Sequence, residues 1–287
     1  MQSNNPVFRR SEDFNRAGGA GQAQTYAGYG QPAQWSTGQP GGPLGYDDQR
    51  PAATAGGQMT IDTVVQKTAV TLGIVIAVAI ATWIVTPAIS STEDLGTLYA
   101  AMTVGMLSAF VLGLVNSFKR VVSPALVIAF AVAEGVAMGA LSKFIDSIYS
   151  TPDSGNLVVQ AVIGTFAAFA GTLTAYKVFN IQVGQKFRMF VIAAAFGMLA
   201  LGLLELVLSL FSSQMGLFGF GALGMVTAII GLVLGVFFLI LDFDFVEQGV
   251  RNGLPERESW RAAFGITLSL VYIYTNLLRL LAIFSSD

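Results

Sequence analysis

Seven long apolar runs, at 63–89, 96–117, 122–145, 157–178, 188–212, 217–243 and 261–284, leave this chain few ways to fold. Each exceeds the roughly 20 residues that cross a hydrocarbon core of about 30 Å at about 1.5 Å per residue. In lipid every backbone N–H and C=O must be bonded internally, so spans of this length are helices. Only 11% of residues are charged, where a soluble domain carries about 25%, and the mean hydropathy is +0.65. The expected fold is an all-α membrane protein in which residues 60–287 form one bundle of seven transmembrane helices.

Residues 1–59 are different. They are rich in Gly, Gln, Pro and Ala, lack apolar periodicity, and contain no apolar core of a signal peptide before Met59. Such a segment buries too little surface to offset its ordering entropy, so it reads as a disordered tail, either simply solvated or binding a partner.

Composition also removes function classes. A net charge of −2 argues against a nucleic-acid partner. With no cysteine and no histidine, thiolate chemistry, the usual zinc ligands and a Ser–His dyad are excluded. No Gly-rich phosphate loop follows a strand, and an intramembrane aspartyl protease would need an aspartate that the seventh span lacks. The chain is not expected to be an enzyme, and no cofactor is expected.

Of the 15 Lys and Arg residues, 13 fall on one side of the seven spans: in the tail and first turn, and in the second-to-third, fourth-to-fifth and sixth-to-seventh connections. Positive charge marks the cytoplasmic side, so the N-terminus is expected inside and the C-terminus outside.

Polar residues within the spans are the candidate functional groups. In the sixth, Gly224, Ala228, Gly231 and Gly235 form a small-residue stripe, and seven positions on, close to two turns, lies Asp242. Asp242 should therefore face the bundle. Asp244, about 200° further round, and Glu247 should point away and mark the exit to headgroups or water. The seventh span carries Gly265, Ser269, Tyr272, Asn276 and Arg279 on one stripe. An arginine facing lipid at that depth costs about 2.5–3.5 kcal/mol, so Arg279 should face inward and be paired. Glu205 in the fifth span lies at similar depth and is the expected partner, as a structural clamp or as part of an ion path. Glu134, beside the Gly135–Gly139 pair, has no cation at its depth in a neighbouring span; it is a hydrogen-bonding helix contact or a proton-binding step.

The stretches LGLVNSFKRVVSPALVIAFAVAEGVAMGALS, LDFDFVEQGVRNGLPERESWRAAFG and LLRLLAIFSSD, with NPVFRR near the N-terminus, resemble the bacterial branch of the Bax inhibitor-1 family, the transmembrane Bax-inhibitor-motif proteins. The resemblance covers the whole membrane region. It implies six helices around a central seventh and a cytoplasmic N-terminus. Family members are associated with pH-sensitive calcium leak and protection from stress-induced death, and some bacterial relatives with regulation of a membrane protease. The family pairs an aspartate at the cytoplasmic end of the sixth helix with one in the seventh, latched by a basic residue ending the second. Asp242 matches the first aspartate, and Lys119 and Arg120 match the basic cluster. Ser269 stands where the second aspartate is expected, and Asn276 where the branch has a glutamate.

The expected function is a pH-modulated cation leak channel of a bacterial plasma membrane, with calcium as the candidate permeant ion. Asp242, Lys119, Arg120 and Ser269 would form the gate, and Glu134, Glu205, Asn276 and Arg279 an intramembrane polar path or clamp. The alternative is a non-conducting regulator that binds a membrane protease or stress-response partner.

Overall fold

A computed structural model describes residues 57–87, 92–150, 155–211 and 215–286. The expected tail lies outside the described residues up to position 56. Seven helices follow in order: α1 (Ile61–Val85), α2 (Thr92–Phe118), α3 (Pro124–Tyr149), α4 (Leu157–Val178), α5 (Gln185–Leu210), α6 (Ala222–Arg251) and α7 (Glu258–Ser286). All seven are long and apolar enough to span a membrane, and the described residues contain no strand beyond one isolated bridge, Gln58 to Pro255. The protein is a multi-pass membrane protein.

Local chemistry sets the helix ends. The α1 start is a reciprocal cap: Thr63 N donates to Thr60 Oγ1 at 3.1 Å, and Thr60 N donates to Thr63 Oγ1 at 3.0 Å. In α4, Asn156 Oδ1 accepts from Val159 N at 3.0 Å. Pro124 opens α3, where its missing N–H leaves no orphan. The α6 helix outlasts its apolar run, ending at Arg251, where Asn252 and then Gly253 (φ +63) turn the chain. The last carboxylates of that helix therefore sit on regular backbone.

Packing is uneven. α7 packs on α1, α3, α4 and α6, whereas α2 packs on α3 alone and α5 on α6 alone. Because lipid tails are as apolar as leucine, helices associate through close approach and internal hydrogen bonds. Gly135 and Gly139 supply that approach for α3: a Cβ on Gly135 would lie 2.8 Å from Val75 O, and one on Gly139 would lie 2.9 Å from Ala79 Cα. Large apolar side chains left outward, such as Ile84, Phe110, Phe196 and Leu210, are more than half exposed and face the bilayer.

At one end of the bundle, Gly57–Met59 dock against the α6–α7 connection. Met59 N donates to Leu254 O at 2.7 Å, Glu256 N donates to Gly57 O at 2.8 Å, and the Met59 side chain is buried. Gly57–Met59, read from the sequence as the end of the tail, are thus bonded to the bundle. This end gathers the starts of α1, α3, α5 and α7 with the lysines and arginines of the connections; it is called the basic end below.

Candidate functional site

The small stripe of α6 and the polar stripe of α7 meet along their lengths. At the basic end, Ser269 Oγ donates to Asp242 Oδ2 at 2.5 Å, and a Cβ on Gly265 would come within 2.8 Å of Asp242 Oδ1. Further along, a Cβ on Gly235 would lie 2.5 Å from Ile273 Cγ1, and one on Gly231 would strike the Asn276 amide. Asn276 is buried and donates from Nδ2 to Tyr272 O one turn back, at 2.8 Å. Asp242 faces the bundle, as the stripe predicts, and Ser269 is the residue it finds there.

Arg279 finds its partners without a carboxylate. Its guanidinium donates to Thr227 Oγ1 at 3.0 Å and Gly224 O at 3.3 Å, and it lies 5.4 Å from the Phe218 ring centre, while its Nε is buried without a partner. The expected Glu205–Arg279 pair does not form. Glu205 Oε1 accepts instead from Gly216 N at 2.8 Å, and its Oε2 is buried without a partner. Both side chains thus bond into the stretch from Gly216 to Thr227, where Thr227 Oγ1 also donates to Leu217 O. Depth along the helices places the two residues alike, but the connection before α6 offers Glu205 a nearer partner, and the first turns of α6 offer Arg279 its own.

The expected latch is also absent. Lys119 and Arg120 are exposed, and their backbone carbonyls accept from Arg261 at 3.3 and 2.8 Å. Asp242 makes no ion pair with either. An ion pair forms instead at Asp244, which is 7% exposed and accepts from the half-exposed Arg188 and from Gln248 Nε2, both at 2.8 Å. Asp244 does point away from the Asp242 face, as helical phase requires, but that face is covered by the first turn of α5 rather than by water. Arg188 is the partner of Asp244 that the span-by-span pattern does not single out, and its place at the start of α5 was the available signal. Glu247 is exposed as expected; it accepts from Tyr176 Oη at 2.9 Å and pairs with Arg251 at 2.5 Å.

Glu134 is half-buried and makes no hydrogen bond or ion pair with any described residue. It lines a cavity of about 470 Å³ between α2, α3 and α7, shared with Ser117, Tyr272, Thr275, Asn276 and Arg279. Three of the four residues expected in a polar path, Glu134, Asn276 and Arg279, therefore meet around one space, and Glu205 does not join them. Among the described residues, no three carboxylates gather where they could hold a metal ion.

A family model described as "Bax inhibitor 1 like" matches residues 5–286. No curated protein matches the chain.

Proposed function

The chain belongs to the Bax inhibitor 1-like family, and from that premise we propose that it is a pH-modulated cation leak, with calcium as the candidate ion, in a bacterial plasma membrane with the tail inside. The observation that carries the reading is the Asp242–Ser269 contact, which ties α6 to α7 at the basic end. A hydroxyl bond to an ionised carboxylate is about twice as strong as one between neutral groups. While Asp242 is charged, the two helices are held together there; protonation weakens the tie, so leak rises on acidification. The cavity beneath is walled mainly by apolar side chains, with Thr275, Asn276 and the unpartnered Glu134 among the oxygen-bearing groups that an ion past that point would meet. A hard cation would meet one carboxylate at a time, a weak site that suits release as much as entry.

Proteoliposomes with a trapped calcium dye test this. Flux above protein-free vesicles should increase from neutral to acid pH, and Asp242→Asn should raise the neutral-pH flux and flatten its pH dependence. No protein-dependent flux at any pH sinks the reading.

A second reading, a non-conducting regulator of a membrane protease or stress-response protein, is favoured by the docking of Gly57–Met59, which joins the tail to the α6–α7 connection. Deleting residues 1–56 separates the two: a channel keeps its flux, whereas a tail-dependent regulator loses its partner in a pull-down.

A further inference from the structure

The backbones of α1 and α4 do not approach one another, although each helix packs on α7. Between them lies a groove of about 540 Å³, open to the bilayer. Its rims are Ile76 and Ile80 on α1 and Val162 and Ile163 on α4, all exposed, and its floor includes Met138 of α3 and Leu270 of α7. Along α1 it runs from Leu72 to Trp83. At about 1.5 Å per residue that is about 16 Å, half of a hydrocarbon core of about 30 Å. The groove is thus as long as one leaflet is deep, and it occupies the half away from the basic end.

A cation stands at its outer end. Lys143, next to the groove residue Ser142, donates to Trp83 O at 2.8 Å, to Thr86 Oγ1 at 3.1 Å and to Thr86 O. These acceptors are neutral carbonyl and hydroxyl oxygens at the α1 C-terminus, and no described carboxylate lies within ion-pair distance of the ammonium. Trp83 adds an indole, the side chain suited to the membrane interface.

We propose that this groove is a phospholipid site: one acyl chain lies between α1 and α4, and the lipid phosphate sits at Lys143. Residues 57–59 join the bundle at the other end of α1, a full span away. A lipid chain matches the length, the apolar walls and the leaflet, and a phosphate matches the Lys143 ammonium beside Trp83, with Asp146 one turn further along α3 near the groove residue Tyr274. The site stands apart from the Asp242–Ser269 contact and does not depend on conduction.

Native mass spectrometry of the full chain in detergent, with palmitoyl-oleoyl phosphatidylglycerol or phosphatidylcholine added, reads the site directly. One lipid should be retained per chain. Val162→Phe, which fills the groove, should lower retention at least tenfold, whereas Val233→Phe, exposed on α6 outside it, should not. Lys143→Met should erase the preference for the anionic lipid while phosphatidylcholine binding persists. Equal retention in wild type and Val162→Phe overturns the site, and an unchanged lipid preference in Lys143→Met overturns the headgroup assignment. A second readout uses unaltered groove residues. In the Trp35→Phe, Trp260→Phe protein, brominated-chain phosphatidylglycerol should quench Trp83 saturably near one equivalent, and quenching that grows without saturation overturns the proposal.

Discussion

At the scale of single residues, the membrane region handles its charges in different ways. Arg279 uses a carbonyl, a hydroxyl and a ring, Asp244 uses Arg188, Asp242 uses one hydroxyl, and Glu134 faces a cavity. Since Glu205 and Arg279 bond to separate backbone groups, a double-mutant cycle of Glu205→Gln and Arg279→Leu should be additive to within about 0.5 kcal/mol. Coupling well above that in unfolding measurements would restore the direct pair. Asp244→Asn should cost about 1–2 kcal/mol, below the 3–5 typical of breaking a fully buried pair because Arg188 remains 43% exposed. Its flux should still respond to pH, because Asp242 is untouched. Ser269→Ala removes the tie but keeps the titrating group, so neutral-pH leak should rise severalfold with some pH response left. Ser269→Asp places a second ionisable group against Asp242 and should steepen that response.

At the scale of elements, the α6–α7 seam is a fit of glycines against polar side chains. Gly231→Ala pushes a methyl into the Asn276 amide and should destabilise the fold by about 1–3 kcal/mol. Gly73→Ala in α1 is the control: a Cβ there meets nothing within 4 Å, so the better helix propensity of alanine should leave stability equal or about 0.5–1 kcal/mol higher. Thermal unfolding in detergent separates the two. Both stripes of this seam, and the Gly135–Gly139 pair, were legible in the sequence, because small residues at helical spacing mark close packing in lipid; that the pair meets α1 was not. Hydropathy also located all seven helices. It misplaced the end of α6, since a helix stops where its backbone is turned, at Asn252–Gly253, and not where its side chains become polar. Partners were least legible. Depth along a span says nothing of which neighbour's connection folds closest, and so Glu205 found Gly216, and Asp244 found Arg188.

At the scale of the whole molecule, α2 and α5 each rest on a single neighbour, while α7 rests on four. The chain entering α1 adds a fastening at the basic end, with buried Met59 and the hydrogen bonds from Met59 to Leu254 and from Glu256 to Gly57. Removing residues 1–56 should leave the unfolding temperature unchanged, whereas removing residues 1–59 should cost about 2–4 kcal/mol from one buried side chain and two hydrogen bonds. Equal stabilities would mean that the fastening holds nothing. The same fastening makes the tail a tether. Tension applied to it by anything it holds is delivered first to the hairpin between α6 and α7, about three helical turns from Asp242. A protein gripping those first residues could thus pull on the closed end of the bundle without touching the membrane domain.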